Sequence, residues 1–162
     1  MERREEFFHP VRVNACEGLE WVFQMIPIAL YAEVLGRSHA WLSQRYRQMS
    51  SSGKSYRFTP DVLPSLNDAL RVVAERLRYA YIDYIEDRDT MVAHVNEHLT
   101  YNIRTSYICM RMGKDVSWYH HRSKALYTDR GKYQFTRSEV AQLNLIVADV
   151  RARLMSLELT LD

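Results

Sequence analysis

The sequence predicts an all-α protein made of two tandem helix-turn-helix-like units, each closed by a long amphipathic helix. Two observations carry this. The string GRSHAWLSQR, Gly36 to Arg45, returns as GKDVSWYHHR, Gly113 to Arg122, at an offset of 113 − 36 = 77 residues. The offset then holds without a gap: Tyr56, Phe58, Thr59, Leu66, Asn67, Val73, Arg76 and Leu77 recur as Tyr133, Phe135, Thr136, Leu143, Asn144, Val150, Arg153 and Leu154. Matches that mix Gly, Trp, Asn and Arg do not arise from shared helical periodicity, so the chain contains an internal repeat. The second observation is that apolar residues recur at spacings of three and four, whereas the alternation of half-buried strands is nearly absent. Five Gly and four Pro in 162 residues agree with long regular elements.

Taken in order, residues 1 to 11 read as a flexible charged arm. Unit one runs over residues 12–86. Cys16, Leu19, Val22 and Phe23 share one face of a first helix over Val13 to Met25. Pro27 starts the next helix, where its missing N–H costs nothing, and Gly36 ends it in the left-handed conformation. Ser38 is positioned as the N-cap of a third helix from His39 to Gln48. Thr59-Pro60-Asp61 opens a long helix, with Pro64 bending or delaying its start. Leu63, Leu66, Leu70, Val73, Leu77, Ala80 and Tyr84 form its apolar stripe. Unit two, residues 87–162, repeats the plan. Met91 to Leu99 is its leading helix, and Thr136 and Glu139 form a capping box. Val140, Leu143, Val147, Val150, Leu154, Leu157 and Leu161 make an equivalent stripe. The two heptad-patterned helices are expected to pack on each other about a pseudo-two-fold axis, or to pair a homodimer.

Charge is distributed unevenly although the net value is only +2. From Val34 to Pro60 there is no Asp or Glu, but there are Arg37, Arg45, Arg47, Lys54 and Arg57. Between Gly113 and Phe135, Lys114, Arg122, Lys124, Arg130 and Lys132 meet only Asp115 and Asp129. A basic excess confined to one repeated element is the footprint of a polyanion ligand, with a solvated basic face as the competing reading. In DNA-binding helix-turn-helix units the second helix enters the major groove with its N-terminal residues on base edges. Here these are Arg37, Ser38, His39, Ala40, Ser43 and Gln44; Arg and Gln can contact guanine and adenine bidentately. Arg45, Arg47, Lys54 and Arg57 are expected on phosphates. Lys114, Ser117, His121, Arg122, Lys124 and Lys132 are the candidates of the second copy. Trp41 and Trp118 are read as core anchors of their units. Double-stranded DNA is therefore the expected partner, and a protein-interaction module on the same scaffold is the alternative.

Other chemistry is weaker. His94-Val-Asn-Glu97-His98 matches an inverted zinc-peptidase motif, which needs both His on one helix face and a third ligand. Glu158 is the one obvious late carboxylate for that role, and an incidental match on a polar face is the favoured reading. No phosphate loop, nucleophile elbow or paired-carboxylate site is visible, so neither an enzyme nor a cofactor is expected. Cys16 and Cys109 suit two reduced thiols. No signal peptide or spanning segment of about 20 apolar residues is present, so a cytoplasmic protein is expected.

The string GRSHAWLSQR, followed by Gly53-Lys54, Phe58-Thr59 and Leu66-Asn67-Asp68-Ala69-Leu70, resembles a family of small proteins of unassigned function from gut bacteria and their mobile elements. Its pattern reads approximately G-K-S-x-S-W-L-x-Q-R, then G-K, F-T and L-N-x-A-L. The second copy keeps Gly113-Lys114, Trp118, Arg122, Gly131-Lys132, Phe135-Thr136 and Leu143-Asn144, with its loop Gly-Lys pair shifted by one residue. The resemblance implies a helix-turn-helix-like fold and supplies no function.

Overall fold

A computed structural model describes residues 10–48, 53, 55–87, 90–124 and 134–162. Among the described residues there are eight α-helices and four short strands, so the expectation of an all-α protein is corrected: two small sheets join the helices. Strand β1 (Val11–Asn14) leads into α1 (Ala15–Met25), α2 (Ile28–Leu35) and α3 (His39–Tyr46). A 3-10 turn, Pro60–Val62, then opens α4 (Leu63–Arg76), with Pro64 tolerated in its first turn. Next come β2 (Ile82–Asp87), β3 (Thr90–Val95), α5 (Glu97–Asn102), α6 (Thr105–Met112) and α7 (Val116–Lys124). Helix α8 (Arg137–Ser156) and β4 (Leu157–Thr160) end the chain. Val11, expected in the charged arm, already belongs to β1; residues 1–9 of that arm lie outside the described residues.

Strands β2, β3 and β4 replace helix that the sequence predicts, and β1 takes the end of the expected arm and the first two residues of the expected first helix. Both long helices stop early: α4 passes through a 3-10 turn, Leu77–Tyr79, into β2, and α8 runs straight into β4. The leading helix expected over Met91 to Leu99 is instead β3 followed by α5. Strands β2 and β3 form an antiparallel hairpin, so the expected unit boundary at 86–87 falls at the end of β2. Strand β1 pairs in parallel with β4, from the other end of the chain, with Val11 opposite Leu157 and Val13 opposite Leu159.

The long helices do pack on each other. Leu66, Leu70, Val73 and Leu77 of the first stripe are buried, as are Leu143, Val147, Val150 and Leu154 of the second. These side chains are consumed inside one chain, which leaves little of either stripe to pair with a second copy. Tyr84, assigned to the first stripe, lies on β2 and is 41% exposed, whereas Ile82 at the start of the same strand is buried.

What locks the two halves together is an exchange between asparagines and strands. A strand with one neighbour still presents the N–H and C=O of alternate residues on its other side, and these groups need partners. The Asn67 side chain on α4 supplies both for Leu159, donating to its carbonyl at 3.1 Å and accepting from its N–H at 2.7 Å. The Asn144 side chain on α8 does the same for Ile82, at 3.1 and 2.9 Å. The helper positions differ by 144 − 67 = 77 and the strand positions by 159 − 82 = 77. Each unit therefore holds the tail strand of the other. Arg71 adds a one-sided contact, donating to the Leu154 and Leu157 carbonyls at the end of α8, where cations are favoured.

The leading elements depart from this symmetry, since β1 pairs in parallel and β3 antiparallel. In unit one, α1 lies close on the β1–β4 sheet at Gly18. A Cβ there would sit 2.5 Å from Leu159 Cδ2 and 2.7 Å from Val13 Cγ1. Tyr31 is fully buried and donates to the Leu66 carbonyl at 2.6 Å, fixing α2 on α4.

Two stability outcomes follow from this packing. Asn67→Ala and Asn144→Ala each leave a strand N–H and C=O without partners and should each cost roughly 1–3 kcal/mol in urea unfolding. Gly18→Ala normally gains about 1 kcal/mol in a helix interior. Here the clash with the enclosed Leu159 and Val13 side chains should reverse the sign, with a loss of roughly 1–3 kcal/mol measured in the same way.

Candidate nucleic-acid interface

The hairpin of α2 and α3 is built by local chemistry that appears again in α6 and α7. Gly36 closes α2 at φ 75°, and the N–H groups of Gly36 and Arg37 return to the Glu33 and Ala32 carbonyls. Gly113 closes α6 at φ 65°, with the N–H groups of Gly113 and Lys114 returning to Met110 and Cys109. This is the left-handed cap that glycine adopts without strain. Ala32 and Cys109, 77 positions apart, are both buried at 3% exposure, so Cys109 serves as the small residue where the second pair of helices crosses. Burial pushes the Cys109 thiol pKa upward, with Asp115 adding to the effect. Ser38 Oγ accepts the Trp41 N–H at 3.0 Å, and Asp115 Oδ1 accepts the Trp118 N–H at 2.8 Å.

Each exposed helix is pinned at the same places. Leu42 is the one fully buried residue of α3, and its counterpart Tyr119 is buried on α7. Trp41 lies half-buried against Phe58, with ring centres 5.9 Å apart, and Trp118 against Phe135 at 5.5 Å. The Arg45 guanidinium sits 4.4 Å from the Trp41 ring centre and donates to the Trp41 carbonyl at 3.1 Å. Arg122 sits 4.9 Å from Trp118 and donates to its carbonyl at 3.4 Å. On the preceding turn Arg37 lies 4.8 Å from Trp41, and Lys114 5.7 Å from Trp118. Each indole is thus bracketed along its helix by one cation four residues before it and another four residues after.

This arrangement sorts the residues expected from the sequence. Arg45 also lies 5.4 Å from the Tyr56 ring, so it holds the loop to the helix, and Arg122 is half-buried. Arg37 is exposed just before the Ser38 cap, and His39 and Ala40 are exposed at the start of α3. Ser38 is exposed but engaged as the cap, and Ser43 lies 3.3 Å from His39 Nδ1. Gln44 is half-exposed. Arg47 is exposed with its Nε donating to Tyr46 Oη at 2.9 Å, and Arg57 is exposed. A hydrogen bond with Thr59 holds the Asp61 carboxyl pKa below the usual range, and the nearby Arg37 charge contributes in the same direction. In the second unit Lys114, Ser117 and His121 are exposed. Lys54 and Lys132 lie outside the described residues, as does the side chain of Lys124.

One residue on this side has no signal in the sequence. Arg104, from unit two, donates from its backbone to the Met25 carbonyl at 2.8 Å and from its guanidinium to the Phe23 carbonyl at 2.6 Å. It lines a cleft of about 520 Å³ beside α3, shared with Pro27, Ile28, His39, Tyr46 and Arg47. The Trp–Arg brackets, by contrast, have a signal: Trp41-Arg45 and Trp118-Arg122 are both four residues apart, which stacks side chains along a helix.

The zinc string loses its geometry. His94 lies on β3, where its Nδ1 is 3.5 Å from Asp83, whereas His98 lies on α5 against the Tyr79 ring. Asn96 caps α5 between them, so the two histidines do not share a helix face. Among the described residues no group of three or more His, Cys, Asp or Glu is placed to hold a metal ion, and no helix is long and apolar enough to cross a membrane. Comparison with known protein families, curated proteins and solved structures finds no match for this chain.

The two arginines that bracket Trp41 should behave differently when removed. Arg45→Ala loses a carbonyl hydrogen bond and two ring contacts and should cost about 1 kcal/mol. Arg37→Ala, at an exposed position, should stay within about 0.5 kcal/mol of the parent. Thermal unfolding of both variants checks the contrast.

Proposed function

We propose that this chain is a duplex-DNA-binding protein of the cytoplasm, a small transcriptional regulator or mobile-element accessory protein that presents α3 to the major groove. The observation that carries this reading is the way α3 is mounted. One buried residue, Leu42, anchors it, the stretch Arg37 to Ala40 at its N-terminal end is exposed, and no acidic residue occurs between Val34 and Pro60. A helix fixed on one side and exposed on the other over several residues has the form that groove reading requires.

The roles divide by placement. Arg37, in the turn just before α3, offers a bidentate fork for guanine, and Gln44 offers a matching pair for adenine. Arg47 and Arg57 are exposed at the end of α3 and in the following loop, where they meet phosphates. Arg45 acts at one remove, by holding Trp41 and the loop in place. The motif resemblance noted above agrees with such a scaffold. A second reading, a protein-interaction module, draws on exposed Tyr79 and Tyr101, which flank a cleft with His98 on a different part of the surface.

Fluorescence anisotropy with a labelled random-sequence duplex separates the two. DNA binding predicts a salt-dependent Kd of roughly 10⁻⁴ to 10⁻⁶ M for non-specific duplex. Arg47→Ala and Arg57→Ala should each lower the salt slope by about one charge. Absence of any binding at low salt would remove the DNA reading and favour the interaction module.

A further inference from the structure

We infer that the duplex this chain reads carries two unlike half-sites in inverted orientation, both engaged by a single chain acting as a covalent pseudo-dimer. The inference rests on the DNA-binding reading and specifies its substrate.

Two repeats in one chain can be related by translation, as beads on a string, or by a closed two-fold rotation. The two relations make different contacts. Under translation, Asn67 of unit one would reach forward to unit two, and Asn144 would reach forward again, past the end of the chain. Instead Asn144 turns back to Ile82 while Asn67 holds Leu159. When position i of one unit meets position j of the other, and j meets i, the relation is isologous and closes on itself. The long helices say the same thing: α4 and α8 are equivalent elements, and they pack on each other. Equivalent elements meet each other on a two-fold axis.

The hairpins start beside that axis. Pro27 precedes α2 and Arg104 precedes α6, at positions 104 − 27 = 77 apart. Both line one cleft, together with His39 and Arg47 of α3. Arg104 is tied to the end of α1 through the Phe23 and Met25 carbonyls. The two helix-turn-helix hairpins therefore start from neighbouring points. The deviation of β3 and α5 from the plan of β1 and α1 lies ahead of these hairpins in sequence. Duplex DNA has its own local dyads, so reading helices related by a two-fold meet half-sites written in opposite directions, whereas helices related by translation meet a direct repeat.

The half-sites differ because the second reading set has changed. Opposite Arg37, His39, Ala40, Ser43 and Gln44 stand Lys114, Val116, Ser117, His120 and His121. The first set carries two side chains that read a purine bidentately. The second replaces them with a point charge and a histidine, and adds an apolar Val116 suited to a thymine methyl. The site is thus an imperfect inverted repeat with a strong and a weak arm.

The test is selection of the full chain on a random duplex pool, followed by binding assays on the selected site. The expected result is a two-part inverted motif bound by one chain per duplex. Reversing one half-site in place should weaken binding roughly tenfold or more. Lys114→Ala combined with Val116→Ala should leave a motif that keeps the first arm and loses the second. Direct repeats, a single half-site that binds as tightly as the whole, or two chains per site would overturn the inverted arrangement while leaving DNA reading intact. A pool with no enrichment would overturn the DNA reading and this inference with it.

Discussion

Two asparagine side chains, 77 residues apart, hold the tail strands of the two units in place. A strand that follows a helix directly needs a partner for the side its neighbour leaves open, and a primary amide places an acceptor oxygen beside a donor N–H at the spacing of a residue's N–H and C=O. Asn67 and Asn144 each use that match on the tail strand of the opposite unit. Because the exchange runs both ways, neither unit completes its own long helix and tail without the other. The packing of α4 on α8, and the burial of Leu66, Leu70, Val147 and Leu154 beneath them, depend on the register the exchange fixes. Each hairpin is carried on that frame, α2 packing on α4 and α6 on α8.

Above this frame the hairpins are maintained by short-range chemistry. Left-handed Gly36 and Gly113 set the turns, Ser38 and Asp115 cap the helices that follow, and Arg45 and Arg122 lie on Trp41 and Trp118 and donate to their carbonyls. The two copies differ little in these structural positions and more in the residues left outside. By charge alone Arg37, Arg45, Arg47 and Arg122 are alike; in the fold Arg37 and Arg47 are exposed, whereas Arg45 and Arg122 are half-buried against Trp41 and Trp118.

How far the sequence could be read depended on the range of the interaction. Caps and turns are decided within a few residues. Gly36, Ser38 and the reciprocal Thr136–Glu139 box are accordingly found where the sequence expects them. The strands escaped because residues four apart lie on one face in both a helix and a strand. Ala80 and Tyr84, like Leu157 and Leu161, fit either period, so the apolar stripes ran on past the true helix ends at Arg76 and Ser156. Ile82 and Leu159 carry the alternation that decides the matter, but over four to six residues it is too short to stand out. Parallel pairing of β1 with β4 joins opposite ends of the chain, and no local pattern encodes it. Asn67 and Asn144 were legible as a repeated pair, yet their partners become visible when the units are seen face to face. Arg104 carries no pattern at all, since its counterpart is Pro27.

The interlock itself is tested most directly by native-state hydrogen exchange at the Ile82 and Leu159 amides, whose N–H groups the asparagines accept. If the exchange of strands unites the molecule, both amides open only with global unfolding, at one shared free energy and with one denaturant dependence. If Leu159 exchanges through a cheaper local opening while Ile82 stays protected at the global value, or the reverse, the units are separable and the reciprocal clamp does not govern the fold.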